Sequence, residues 1–406
     1  MKVAIVGGGA AGMFCANILS ESSINVTLFE KNNDTLKKFL VTGNGRCNVT
    51  NLCDIDEFID NVSHNSKFLF ATLNNFDSFD LVEYLRKNGV TTKIEKGNRV
   101  FPSTNKAMTV KQFLDSNLGD NITLKTGCEV KKILRSNGKY KVMFGATSQT
   151  FDAVVIATGG LSYPTTGSTG DGYKFAKSLG LEVTDTRPSL CAIRLINVPK
   201  NFEGTPFKAR ITFENNNKEI AVKGEGLFTG FGISGPAVHK ITSLIKEHEI
   251  GLSTISLDFL YKKTYEQCVE SFKEYIRENP KKFVVHLVNK FVNIKFAKDI
   301  LFNLDINEKL QCANVSNNQI QQIINKLKDY KFEVLGFEDI NKATITRGGV
   351  DCKQINPSTM EAKKSKGLYF IGEVLDVDAQ SGGFNLQIAF STAYSCARDI
   401  IHSSFR

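Results

Sequence analysis

Several features that would classify a protein at once are missing from this sequence. Its nine cysteines, at positions 15, 47, 53, 128, 191, 268, 312, 352 and 396, contain no Cys-x-x-Cys pair and no Cys/His cluster at zinc-ligand spacing. An odd, unpatterned set of thiols argues against a disulfide framework, a redox-active disulfide and a metal site, and it fits a reducing, cytoplasmic setting. No stretch reaches the ~18 apolar residues needed to cross a bilayer. The opening MKVAIVGGGAAGMF imitates a secretory leader, but glycines interrupt its apolar run and no cleavage pattern follows. Repeats and low-complexity linkers are absent, and so are RNA-binding motifs with interleaved aromatics.

What remains is an ordinary globular composition. The chain has 406 residues, 41% hydrophobic and 23% charged, which predicts two or three domains with a real core. Lys and Arg number 51 against 42 Asp and Glu, a formal charge of +9. The excess is concentrated: Arg86, Lys87, Lys93, Lys96, Arg99, Lys106 and Lys111 face only Glu95 within residues 86–111. Three readings stay open for that segment: a solvated helix end and loop, a site for an anionic ligand such as a cofactor or substrate phosphate, or an RNA surface. The missing aromatic motifs disfavour nucleic acid as a partner.

Residues 2–6 form a β-branched strand that stops at Gly7, residues 10–19 have helical apolar spacing, and 25–29 form a second strand ending at Glu30. Gly7-Gly8-Gly9-Ala10-Ala11-Gly12 therefore sits between strand and helix, as a dinucleotide fingerprint requires. Gly7 allows the tight turn, Gly9 lets backbone approach a pyrophosphate, Gly12 allows close helix packing, and the acid Glu30 suits a ribose. Two further apolar strands end in Ala157-Thr158-Gly159-Gly160 and in Gly372-Glu373, the latter followed by Gly382-Gly383 and a terminal helix to Ile401. A late return to the sheet with helix-start amides suits a flavin, where negative charge develops on reduction, and is not needed for NAD alone. FAD is the expected cofactor.

The alternating segments of 122–157 predict a small antiparallel meander leading back to a buried strand. Residues 188–257 carry strand-like runs (192–196, 208–213, 219–222 and 255–257), and 258–330 show amphipathic helical spacing. The expected fold is α/β: a discontinuous FAD-binding domain (1–187 and 344–406), a β-barrel-like insert (188–257 and 331–343) and a helical insert (258–330).

The motifs Leu40-Val-Thr-Gly-Asn-Gly-Arg-Cys-Asn-Val-Thr-Asn51, Arg99-Val-Phe-Pro102, Ala157-Thr-Gly-Gly-Leu-Ser-Tyr-Pro164, Gly226-Leu-Phe-Thr, Gly232-Ile-Ser-Gly-Pro236, Gly348-Gly-Val350, Thr359-Met-Glu361, Gly367 to Val377 and Gly382-Gly-Phe-Asn-Leu-Gln387 span the whole chain. Together they resemble the bacterial aminoacetone-oxidase-like or dehydro-bile-acid-reductase-like family of NAD(P)/FAD-dependent oxidoreductases. The resemblance implies a glutathione-reductase-like FAD domain with β-barrel and helical insertions. It also implies cofactor contacts from Gly7, Gly9, Ala10, Ala11, Gly12, Glu30, Lys31, Lys38, Gly43, Asn44, Gly45, Arg46, Cys47, Val130, Thr158, Gly159, Gly372, Glu373, Asp376, Gly382, Gly383, Phe384 and Asn385. Two departures matter: Gly230 stands where the family often has His, and Phe384 replaces a common Tyr.

Catalytic side chains are expected to be few, because a flavin carries the hydride chemistry. Cys47, beside Arg46, is read either as a thiol activated by that cation or as a small residue buried under the cofactor. Tyr163 is read as a proton or hydrogen-bond donor to a substrate carbonyl or as a lid residue. Arg347 is a binder of a substrate carboxylate or a surface partner for an acid, and His239 is expected to be structural. No second Gly-x-Gly-x-x-Gly exists, so NAD(P)H would bind transiently as electron donor. The expected function is an FAD-dependent oxidoreductase moving hydride between NAD(P)H, flavin and a small organic substrate, an activated double bond or an amine. The alternatives are an RNA-modifying flavoprotein acting on tRNA and a redox sensor without turnover.

Overall fold

A computed structural model describes residues 1–215, 218–245 and 253–405. In it Lys2–Val6 is a strand buried from Val3 onward. An unbroken apolar, β-branched run is what a strand covered on both faces requires. It lies at the centre of a five-stranded sheet in the order Leu368–Phe370, Ala153–Ile156, Lys2–Val6, Asn25–Phe29, Ile122–Lys125. Every pairing is parallel, with Val3 opposite both Ala153 and Val26, Val154 opposite Leu368, and Val26 opposite Ile122. The carboxyl ends of the strands, and the loops that leave them, therefore gather on one edge, which is where open α/β sheets bind ligands.

One expectation fails here. The strand Ile122–Lys125 belongs to the main sheet and not to a meander: the Val26 amide donates to the Asn121 carbonyl (2.9 Å) and the Glu30 amide to the Lys125 carbonyl (2.9 Å). Strand Asn25–Phe29 would otherwise leave a row of backbone groups without partners. The three-stranded antiparallel sheet consists of Val130–Ser136, Lys139–Phe144 and Thr147–Phe151. Its first hairpin turns at Asn137 (φ 51°) and Gly138 (φ 73°), the left-handed pair that a two-residue hairpin loop favours.

The helix Ala10–Leu19 follows the Gly-rich loop, and the 20-residue helix Phe384–Ser403 packs beside it, with the Phe14 and Phe390 ring centroids 5.0 Å apart. Both are buried along most of their length, so one core spans the sheet and these helices.

The chain divides into two units, Met1–Ser189 with Asp339–Arg406, and Leu190–Glu338, each with its own core. In the second unit a closed barrel runs in the order Ile193–Leu195, Gly232–Ser234, Lys218–Thr229, Pro206–Asn215, Thr254–Asp258, Tyr330–Phe337. The same unit holds the helices Tyr265–Glu278, Val284–Asn289, Ile294–Asn303 and Asn317–Lys328. Thr264 with Gln267, and Ser316 with Gln319, form capping boxes that start two of them. Aromatic packing joins helices to barrel, with Phe296 4.4 Å from Phe202 and 5.1 Å from Phe228. Residues 339–343, expected with the barrel, lie in the first unit, where the Asn341 carbonyl accepts from the Tyr163 amide (3.3 Å). Among the described residues no helix is long and apolar enough to cross a membrane.

Candidate functional site

The site grows from the turn after the first strand. Gly7 has φ 111°, and a Cβ there would lie 2.5 Å from the Ala157 carbonyl oxygen, so no other residue fits. A Cβ on Gly12 would lie 1.9 Å from the Gly7 oxygen, so the helix rests directly on the loop. Gly9 is different: a Cβ there meets no atom within 4 Å, and no side chain caps the helix that starts after it. Ala10, Ala11 and Gly12 thus begin a ten-residue helix with no side-chain cap among the described residues, and a helix start of this kind is suited by its free amides and dipole to an anion. Glu30, buried at the end of the neighbouring strand, accepts from the Gly8 amide (2.8 Å) and from the Asn32 amide (2.8 Å). Lys31 reaches Thr169 (2.5 Å) and Asp171 (2.7 Å), tying this strand end to the turn before the helix Asp171–Ser178.

Lys38 is the hub of a second cluster. Its Nζ donates to Ser162 Oγ (2.6 Å) and to both oxygens of Glu373 (3.0 and 2.7 Å). Glu373 also accepts from Ser162 Oγ (3.0 Å) and from the Thr346 amide (2.9 Å). Thr346 Oγ1 in turn accepts from the amides of Leu161 (2.8 Å) and Ser162 (3.1 Å). Gly160 leaves the room for this: a Cβ there would lie 2.5 Å from Thr346 Oγ1. Residues expected separately near 38, 159 and 373 are thereby joined. Ser162, within the Ala157–Pro164 motif, and Thr346, next to Arg347, belong to this cluster without being among the residues the sequence singles out.

Around the loop of residues 42–47 the backbone is left-handed at Gly43, Asn44, Gly45 and Cys47. For Asn44 and Cys47 that costs roughly 1–2 kcal/mol each, a concentration of strain typical of ligand-binding loops. This geometry overturns the activated-thiol reading of Cys47. The side chain is fully buried and burial pushes its thiol up to about 12. Arg46 does not approach it as expected; its guanidinium pairs with Glu95 and Asn105 and lies 4.2 Å over the Phe101 ring.

The other candidates also find definite places. Arg347 is not open to a substrate carboxylate: Nε and Nη2 grip Asp378 at 2.7 and 2.8 Å, with the side chains only 7% and 2% exposed. Tyr163, 37% exposed, sits at φ 54°, and its carbonyl accepts from Thr166 Oγ1 (2.7 Å). His239 is in the second unit, its Nε2 3.2 Å from Ser234 Oγ, and burial lowers its pKa. Val130 is a buried residue at the start of its strand, opposite Phe144.

At the late motif, Gly372 (φ 73°) donates to Thr392 Oγ1 (3.0 Å). Asp376 is buried 3.3 Å from His64 Nε2. Gly382 and Gly383 lead into the last helix, and a Cβ on Gly383 would lie 2.4 Å from the Thr50 oxygen. Phe384 packs against Phe58 (5.1 Å), and Asn385 brackets the preceding loop through the Ala379 amide (3.0 Å) and carbonyl (2.7 Å).

FAD fits these residues. Open space beside the helix start at Gly9 is matched by two buried oxygens that have no partner among the described residues, Thr158 Oγ1 and Asn48 Oδ1, one in each of the loops expected to touch the cofactor.

Comparison with known proteins agrees over the whole length. The chain is 31% identical over 408 residues to the ribosomal RNA dihydrouridine synthase of Escherichia coli, covering 98% of this chain and 97% of that one. It is 26% identical over 407 residues to the 3-dehydro-bile acid delta(4,6)-reductase of Clostridium scindens, covering 98% of each. In three dimensions it is similar to the 3-ketosteroid delta1-dehydrogenase of Sterolibacterium denitrificans, with a TM-score of 0.52, 13% identity and 99% of both chains covered. The sequence model described as the HI0933-like protein Rossmann domain matches residues 1–399, and the chain belongs to that family.

Proposed function

We propose that this FAD-dependent oxidoreductase reduces a carbon–carbon double bond conjugated to a carbonyl, and that its substrate is a uracil ring in RNA. The observation that carries the reading is full-length similarity to a dihydrouridine synthase acting on ribosomal RNA. Forming dihydrouridine saturates the C5=C6 bond of uracil, which is conjugated to the C4 carbonyl. A hydride must reach C6 and a proton C5. When bound, FAD supplies the hydride, replenished from NAD(P)H.

The chain's own residues hold and bias the reaction. The Gly7–Gly12 loop and Glu30 hold the adenosine half of the cofactor. Gly43 to Cys47, Thr158, Gly159, Gly383 and Asn385 hold the remainder. Lys38, fixed by Glu373 and Ser162, is a positioned cation suited to negative charge building on an oxygen during reduction. Tyr163, exposed and with a constrained backbone, is the proposed proton donor.

The test is anaerobic incubation of the flavin-loaded protein with NADPH and unmodified ribosomal RNA, followed by nucleoside mass spectrometry. A uridine-derived product heavier by two hydrogens is expected. A second reading, a small enone as substrate, is supported by the bile-acid reductase similarity; reduction of an enone with RNA left unchanged would establish it and overturn the first.

A further inference from the structure

The basic segment is not one charged surface. Lys111 is buried against Asp34 (2.9 Å) and Asp115 (2.5 Å), and Arg86 and Lys87 share Glu83 (2.7 and 3.6 Å). Lys111 is committed to the core, and Arg86 and Lys87 are exposed on their own helix with one acid between them. The rest converge. In the hairpin Thr92–Glu95 with Arg99–Pro102, Lys93 lies opposite Phe101 and Glu95 opposite Arg99, so these four side chains share one face. Arg46 comes in from the neighbouring loop with its guanidinium over Phe101, 4.2 Å from the ring centroid, while Arg99 approaches the same ring at 5.8 Å. Asn105 holds Arg46 through Nη2 (2.6 Å), which brings the adjacent Lys106 to the same place. Lys96, Arg99 and Lys106 are exposed and form no ion pair among the described residues. Glu95 is the one acid among these five cations, and it is engaged by Arg46 and Lys93.

We infer that this face is the docking surface for a single-stranded segment of RNA. Lys96, Arg99 and Lys106 take its phosphates, and the outer plane of Arg46, backed by Phe101, is a platform for a base. The inference rests on the RNA reading of the function and deepens it. Three features favour a nucleic acid strand over a compact anion. The free cations are distributed along a hairpin tip and a following loop, as a backbone path requires. A guanidinium held over an aromatic ring by two side-chain partners is the kind of group on which unpaired bases stack. And Arg46 belongs to the loop proposed to hold the cofactor, so a strand docked here passes beside the reaction centre.

The experiment uses the flavin-loaded full chain and a fluorescein-labelled, uracil-containing single-stranded RNA oligomer, read by anisotropy across a salt series. The variant is Lys96→Ala/Arg99→Ala/Lys106→Ala; Lys96→Glu/Lys106→Glu leaves Arg99 on its ring and guards against a folding defect. Flavin absorbance and melting temperature identify intact holoprotein. At low salt the triple variant should bind at least tenfold more weakly. Its log–log salt slope should be shallower by about 2, since each lost cation contributes about 0.7 for single strands. NADPH KM should not change. Equal RNA binding by parent and variants overturns the inference. So does a raised NADPH KM with RNA binding intact, which would assign the surface to the nicotinamide donor, or the same loss for an acidic protein but not for RNA. If the parent reduces uracil in RNA while the variants do so with unchanged KM, the surface is wrong and the function stands. If no uracil is reduced and no RNA bound, both fall.

Discussion

Gly9→Ala and Gly12→Ala alter two positions of one motif and should fail in opposite ways. Gly9 has φ −81° and ψ −169°, which alanine adopts freely, and its new methyl group meets nothing within 4 Å. Loss of glycine's freedom in the unfolded chain stabilises by ~0.4–1 kcal/mol, and the poorer helix cap costs ~0.5–1 kcal/mol. The two nearly cancel, so the cofactor-free protein should melt within ~2 °C of the parent. The methyl group instead enters the space beside Gly9 that is proposed for the pyrophosphate. At FAD a hundredfold above its Kd the parent gains ~2.7 kcal/mol, a shift of roughly 5–11 °C for a unit of this size. Gly9→Ala should lose that shift and purify colourless. Gly12→Ala places its methyl group 1.9 Å from the Gly7 carbonyl oxygen, and that neighbour is backbone. Overpacking of this kind costs ~1–3 kcal/mol or more, so its cofactor-free form should itself melt lower. The assay is thermal unfolding of stripped protein with and without FAD, alongside visible absorbance. A yellow Gly9→Ala with the parent's FAD-induced shift, or a cofactor-free Gly9→Ala as damaged as Gly12→Ala, would refute the reasoning.

The buried Arg347–Asp378 pair makes a structural prediction: Asp378→Asn or Arg347→Met should destabilise by ~3–5 kcal/mol, as breaking one side of a buried pair does, whereas replacing both by apolar residues recovers much of the loss. Denaturant titration checks this, and an Arg347→Met protein of normal stability but raised substrate KM would return Arg347 to the substrate. Cys47 should resist iodoacetamide in the native protein near neutral pH, its thiol pKa being about 12, and Cys47→Ala should keep its flavin; rapid native alkylation mapped to Cys47 by peptide mass spectrometry contradicts the burial argument. His239 is held neutral by burial, its pKa lowered from the ordinary 6.5. The unfolded chain therefore binds a proton first as pH falls, so this contribution to stability is complete above 6.5 and is lost through the lowered folded-state pKa. His239→Gln should flatten the melting-temperature slope below that pH, and an unchanged slope would exclude the group.

What could be read from the amino-acid order was local. Strand, glycine turn and helix over residues 2–19 are fixed by residues within a few positions of each other, and so is the terminal helix. Partners were another matter. Ile122–Lys125 reads as a strand from its own alternation, but nothing in those four residues distinguishes a hairpin neighbour from the open edge of Asn25–Phe29, where it pairs. Arg46 and Cys47 illustrate the same limit at the site. Adjacency suggested that the cation would activate the thiol, yet Cys47 has φ 59° and a buried side chain, while Glu95, 49 residues on, takes the guanidinium. Arg347 finds its acid 31 residues later, and the charge excess of 86–111 is partly cancelled by Asp34 and Asp115, on either side of that segment. An ionic side chain is committed by whichever opposite charge the fold brings within ~4 Å, because only burial or contact makes the pair worth more than its exposed value of ~0–1 kcal/mol. Charge counted along a chain therefore overstates the charge available to a ligand, and the cations left over after the fold has paired the rest are the ones on which a binding surface can be argued. By that reasoning Lys96, Arg99 and Lys106, and not the segment as a whole, are where an anionic partner should be sought.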